Sequence, residues 1–375
     1  MTTQVDDAAV MRGESARSGA VRAIREKKKL VRRRAPDRSR QIRHITQGVF
    51  AVLNAWIGLQ FFVWVRWYEI GGQGTPVTRP PGVEGWLPIA GLMNLKYFLV
   101  TGHVPAIHPA AMFLLIGFLL MSLLLKKAFC SWLCPVGTLS EALWRLGRKI
   151  FGRSLRLPRW LDLGLRALKY VLLGFFVAVI AMMSAEALAA FMGSPYGVVA
   201  DVKMLNFFRT MSATGIVVLM ALAVLSVAIE NFWCRYLCPY GALMGLVSWL
   251  SPMKVRRDTE ACIDCGKCAR ACPAHLQVDK LVQIRSVECS ACMACITLCP
   301  VENALQLALP PRQAPTAAER WRRRVAGPRM VAAVLAFIFL GIVAYARATG
   351  HWRTNLPQSV YARLVPHANE VQHPM

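Results

Sequence analysis

Apolar residues in this chain are gathered into blocks, and basic residues fill the intervals between them. A helix crosses a hydrocarbon core in about 20 residues. Five blocks meet that length or approach it: residues 47–65, 106–125, 169–191, 215–230 with its flanks, and 330–345. A sixth block, 86–101, is short and interrupted by Pro88, Asn94 and Lys96, and it reads as an interfacial or re-entrant helix outside the membrane. The pattern predicts an α-helical polytopic membrane protein of about five spans. Spans one and two, and spans three and four, form two hairpins of parallel orientation. The first apolar block starts near residue 47, too far into the chain for a cleavable leader.

Charge gives the expected topology. The 375 residues are 55% hydrophobic with a net charge of +25. The stretch 126–169 carries Lys126, Lys127, Arg145, Arg148, Lys149, Arg153, Arg156, Arg159, Arg166 and Lys169, whereas 66–105 carries only Arg66, Arg79 and Lys96. The positive-inside rule then puts the N-terminus and 126–169 in the cytoplasm of a bacterial inner membrane and the C-terminus outside. The basic run from Arg25 to Arg34 would suit nucleic acid. Its place directly before a span is accounted for by orientation and anionic lipid, so no nucleic-acid partner is expected.

Between spans four and five lie two like cysteine runs. The first is Cys262, Cys265, Cys268 and Cys272 followed by Pro273; the second is Cys289, Cys292, Cys295 and Cys299 followed by Pro300. This is the spacing of bacterial two-cluster ferredoxins, in which the fourth cysteine of each run ligates the other cluster. It predicts one [4Fe-4S] cluster on Cys262, Cys265, Cys268 and Cys299, and a second on Cys289, Cys292, Cys295 and Cys272. Zinc knots space their cysteine pairs differently, and disulfides belong to oxidising compartments. The expected domains are a basic cytoplasmic tail (1–46), a four-span membrane domain (47–250), an inserted α+β ferredoxin (251–310), and a linker, fifth span and short extracytoplasmic tail (311–375).

An internal repeat carries four more cysteines. The segment from Phe129 to Leu139, with Cys130 and Cys134-Pro135, recurs from Trp233 to Leu243, with Cys234 and Cys238-Pro239. Each copy follows an apolar span. Pairing of the hairpins about the membrane normal would bring all four thiols together. A spacing of four sets both thiols of a copy on one helical face; alternatively each proline opens a new helix at its first position. Four converging thiolates suit a third iron–sulfur centre or a soft ion such as copper(I); four reduced cysteines packed at a small-residue turn are the other reading.

These motifs together resemble the NapH family of membrane ferredoxins, whose relatives include the membrane parts of NosR-type and CcoG-type proteins. The resemblance covers roughly residues 45–310 and includes the segment Arg79 to Pro88 and the His108-Pro109-Ala110 start of span two. It implies a quinol-dehydrogenase-type electron-transfer subunit that takes electrons from the membrane quinol pool and passes them to a partner redox protein. NosR-type proteins carry a large flavin-binding domain ahead of their spans, and only a basic tail precedes span one here. CcoG-type proteins end in an immunoglobulin-like domain, for which residues 347–375 are too few. A cytoplasmic copper reductase or oxidase-assembly factor and a cluster-based sensor or assembly protein are the competing functions.

Two further expectations concern chemistry. Lys254, Arg256, Arg257, Lys267, Arg270, Lys280 and Arg285 around the cysteine runs would favour reduced, more anionic clusters; the other reading is that they face lipid head groups and are screened from the clusters by water. Quinol oxidation needs a proton acceptor, and Glu186, placed by the pattern near the outer end of span three, is the catalytic candidate. Glu69, His103 and His108 lie toward the same side.

Overall fold

The computed structural model describes residues 32–33, 37–152, 154–309 and 325–374. Most of the basic N-terminal tail and most of the linker before the last apolar block lie outside the described residues.

The long helix α1 (Ser39–Glu69) buries only a few positions and turns Val52 and Trp56 outward. It leads through a 3₁₀ turn (Pro81–Trp86) into α2 (Pro88–Thr101) and α3 (Pro109–Leu125). Helix α3 is apolar on every side because it is the centre of the bundle: 12 of its 17 residues are buried. Around it pack α2, the late helix Pro328–Ala348, and Pro239–Trp249. The chain continues with α4 (Ala128–Trp132), α5 (Pro135–Phe151), α6 (Arg159–Met182), α7 (Ala185–Gly193), α8 (Pro195–Val198), α9 (Ala200–Arg209), α10 (Ala213–Ala228) and α11 (Pro239–Trp249). At the α5–α10 contact, a Cβ on Gly147 would stand 1.9 Å from the Val227 carbonyl oxygen, so the two backbones approach as only glycine permits.

Among the described residues, three helices are long and apolar enough to cross a membrane: α1, α6 and Pro328–Ala348. A fourth is reached if α9 and α10, bent by 82° at their junction, count as one span. Helix α3 falls short at 17 residues, so length alone does not reach five spans. The outward faces of these helices are rich in apolar side chains such as Val171, Phe175, Val217 and Phe337, which suits lipid contact. The expected third span, 169–191, is displaced. Its helix begins ten residues earlier, at Arg159, and stops at Met182. The ammonium of Lys96 explains the stop: it donates to the carbonyls of Ile180 and Ala181 at 2.9 Å and to that of Met183, satisfying the helix's last acceptors.

After α11 the chain forms a small unit with strands β1 (Lys254–Arg257) and β2 (Leu305–Ala308). They are antiparallel, with Val255 opposite Leu307 and Arg257 opposite Leu305. Between them lie two single-turn helices, α12 (Lys267–Arg270) and α13 (Ala294–Thr297). Its apolar interior, with Val255, Ile284, Met293 and Leu307, is continuous with the core around Trp132, Leu133 and Met244 of the bundle. The N-terminal segment reaches the same unit, where Arg33 donates its backbone N–H to Pro300 and its guanidinium to the Ile296 carbonyl at 3.0 Å.

Helix α14 (Pro328–Ala348) packs on α1 and α3, and the tail beyond it folds back as α15 (Gln358–Leu364). Tyr361 and Val365 close an apolar cluster with Phe61, Trp64 and Tyr68 at the far end of α1.

Candidate functional site

The two cysteine runs wrap in the same way. Asp264 and Gly266 flank Cys265 with φ of 54° and 66°, and Ala291 and Met293 flank Cys292 with φ of 49° and 57°. Three left-handed residues that are not glycine cost of order 1 kcal/mol each. They are kept because this backbone coils three thiols around one point. Cys268 faces Cys262 and Cys299, and Cys299 faces Cys262 and Cys265. Cys272 faces Cys289 and Cys292, and Cys295 faces Cys272, Cys289 and Cys292. These proximities run within the two sets expected from crossed ligation. Cys295 also faces Cys268, which sets the quartets side by side.

Among the described residues no cysteine is in a disulfide. No group of three or more His, Cys, Asp or Glu among them would hold a single metal ion. Burial pushes the Cys272 thiol up to about 12 and raises Cys289 and Cys295 as well. Such thiols ionise readily only beside a cation, which the iron of a cluster would supply.

The four remaining cysteines converge from the two repeats. Cys134 and Cys238 are the residues before α5 and α11, and each is followed by proline at the first helical position. The Gly241 N–H donates to the Cys238 sulfur at 3.2 Å, and the Gly137 N–H supports Cys134 in the same way. A helix N-terminus pointed at sulfur favours the thiolate. Gly137 is obligatory, since a Cβ there would sit 2.2 Å from the Cys130 carbonyl oxygen. Cys234 faces Cys130, Cys134 and Cys238, and burial raises its thiol well above the usual range. Of the two local geometries open from spacing, the structure has the one with a fresh helix at each proline.

This thiol group abuts the second ferredoxin quartet. Ser131 Oγ donates to the Ser290 carbonyl at 2.6 Å and Trp132 Nε1 to that of Ala291 at 3.1 Å. Residues between Cys130 and Cys134 therefore hold residues between Cys289 and Cys292. From the other repeat, Arg235 donates to the Pro273 carbonyl at 3.3 Å, just after Cys272. Glu288 sits between the ammonium groups of Lys169 (2.6 Å) and Lys127 (3.5 Å) and accepts from the Tyr170 hydroxyl. Burial opposes its charge, but the two lysines hold its carboxyl at about 2.

A cavity of about 600 Å³ opens beside the four thiols and runs between α1, α3 and α14 toward Arg79 and Arg353 at the opposite end of the bundle. Arg43 on α1 grips Glu141 on α5 at its edge, with contacts of 2.5 and 2.6 Å.

The proton-acceptor candidates fall elsewhere. Glu186, expected inside a span, lies in the first turn of the separate helix α7 and is exposed. Glu69 pairs with Arg209 at 2.6 Å, and His103 is exposed. His108 is buried in a charge network with Glu84 (3.3 Å), which Arg79 ties to Asp201 (2.7 Å each). Sequence reasoning missed this network and the pairings of Lys127, Glu141, Asp162 and Glu288. A signal existed for two of them: Glu141 and Asp162 are the only acids in the basic stretch 126–169, and both are ion-paired.

A helical bundle carrying ferredoxin-type cysteine loops defines a class of iron–sulfur protein that moves single electrons. A 4Fe-4S dicluster domain model matches residues 254–301, and a 4Fe-4S binding domain model matches twice, at 107–154 and 211–258, one match on each thiol repeat. The chain belongs to the NapH-type family of ferredoxin-type electron transport proteins. It is 52% identical to YccM of Escherichia coli, called an electron transport protein, over 88% of this chain and 91% of that one. It is 27% identical to the ferredoxin-type protein NapH of Escherichia coli over 56% of this chain and 70% of that one. It is 32% identical to the protein NirI of Paracoccus denitrificans over 45% of this chain and 24% of that one. No solved structure matches it.

Proposed function

We propose that this protein takes electrons from membrane quinol and delivers them through its cysteine-held clusters to a partner redox protein. In this reading the bundle crosses the inner membrane, the ferredoxin unit faces the cytoplasm, and the C-terminal tail lies outside. Helix α3, though short, completes a fifth pass because protein rather than lipid surrounds it. Cys262, Cys265, Cys268 and Cys299 hold one [4Fe-4S] cluster, and Cys289, Cys292, Cys295 and Cys272 the other. Cys130, Cys134, Cys234 and Cys238 hold a third iron–sulfur centre. When bound, these groups supply acceptance and release of one electron at a time.

The observation that carries the reading is the continuous contact from the membrane thiols, through Ser131, Trp132 and Arg235, to the loops of the second quartet, and across Cys295 and Cys268 to the first. Shared rigid contacts keep the three thiol groups at fixed separation, which a relay needs. Lys127 and Lys169 place positive charge at the junction, where each added electron brings negative charge.

The test is quinol-driven reduction of the clusters in liposomes, followed by electron paramagnetic resonance under anaerobic conditions. Rapid reduction is expected; clusters reducible by dithionite but indifferent to quinol would refute it. A relative from Pseudomonas aeruginosa, 30% identical over 49% of this chain, is called the regulatory protein NosR, which keeps a sensor role in view. Metal content separates a copper-handling role, since copper retained on the four membrane thiols would replace the third iron–sulfur centre.

A further inference from the structure

We propose that the cavity beside the four membrane thiols is the binding site for a quinol or quinone with an apolar tail. The inference rests on the function proposed above and locates its substrate. The volume, about 600 Å³ including the space a centre on Cys130, Cys134, Cys234 and Cys238 would fill, falls in the range of small-molecule sites. Its two ends differ in chemistry. Along α1 and α14 the wall is apolar, with Leu53, Ile57, Phe339 and Val343 facing the space. Both helices are long enough to cross a membrane, so this part lies at lipid depth and suits a hydrocarbon tail.

At the other end stands Tyr240, beside Cys130, Cys134 and Cys238. Its ring packs on Phe118 and Phe129, and among the described residues its hydroxyl has no hydrogen-bond partner. The hydroxyl opens on the cavity and is free to bond to what enters it. A ring oxygen of a quinone in the cavity supplies that partner and sets the ring against the thiol group. An anionic lipid head is a poor occupant of this end. The thiols carry negative charge once they hold iron, and the nearby Lys127 is committed to Glu288. A neutral ring with two oxygens meets both conditions.

The test measures binding rather than turnover. The full-length protein is purified anaerobically in detergent, and decylubiquinone is titrated against the intrinsic fluorescence that Trp86, Trp144 and Trp352 contribute at the cavity. Leu53→Trp and Val343→Trp fill the space from opposite walls; each is expected to raise the Kd at least tenfold with iron, sulfide and the dithionite-reduced spectrum unchanged. Tyr240→Phe is expected to raise it about threefold to tenfold. Val171→Trp, on an outward face, is expected to leave it unchanged. An unchanged Kd in both filling variants, or no saturable binding to the wild type, overturns the assignment. If quinol reduces the clusters equally in wild type and filled variants, the site lies elsewhere and the proposed function stands. If decylubiquinone binds in the cavity and quinol reduces nothing, the site stands and the proposed electron donor falls.

Discussion

Replacing Glu141 with Gln removes the carboxylate that, among the described residues, Arg43 meets. The guanidinium touches both carboxylate oxygens, Gln47 adds a contact at 2.9 Å, and Arg145 lies on the other side. The pair is largely closed to water, at 4% and 13% exposure for the two side chains. Burial by itself would raise the carboxyl, yet Arg43, Gln47 and Arg145 bring it from 4.5 down to about 2. At ~1.4 kcal/mol per pH unit, that depression corresponds to about 3 kcal/mol of folding stability. The figure agrees with the ~3–5 kcal/mol lost when one partner of a buried ion pair is removed. Because the folded carboxyl titrates below the unfolded one, the contribution is complete above pH 4.5 and vanishes as pH falls through about 2. The gap between wild type and E141Q is therefore flat from pH 6 to pH 8. Unfolding in detergent, followed by circular dichroism for E141Q, Arg43→Met and the double variant, measures the coupling. The double variant is expected to be less destabilised than the sum of the singles by about 2 kcal/mol. Strict additivity, or a gap that widens steadily between pH 6 and pH 8, would refute the reasoning.

Three further outcomes are expected. In redox-monitored paramagnetic resonance, Cys272→Ser removes the same cluster signal as Cys289→Ser, while Cys299→Ser groups with Cys262→Ser; the opposite grouping would break the crossed ligation. The double variant C134S/C238S lowers iron by about four per chain and leaves both ferredoxin signals in place; unchanged iron would count against a shared centre on the repeats. Gly147→Ala drives a methyl into the Val227 carbonyl and lowers stability by at least ~1–3 kcal/mol, whereas Gly164→Ala, with nothing within 4 Å, is neutral or slightly stabilising in the same melt.

The cysteine positions were legible because coordination chemistry is written in local spacing. The helix starts in the two repeats were legible too, since Cys134-Pro135 and Cys238-Pro239 each announce one. What apolar pattern does not report is what surrounds a block. Most residues of α3 are buried in protein and those of α1 largely face outward, yet both read as spans. The end of α6 was hidden because Lys96, distant in sequence, satisfies its terminal carbonyls. Glu186 fell outside the span for the same reason. The Arg79, Glu84, His108 and Asp201 network joins four separate segments, and no periodicity connects them.

The hydrogen bonds from Ser131 and Trp132 to Ser290 and Ala291 set an order of biogenesis. They cover the loop that bears Cys289 and Cys292, and Cys295 behind it is buried. The bundle residues that form the seat are translated earlier than the loop itself, so the dock is ready when the loop emerges.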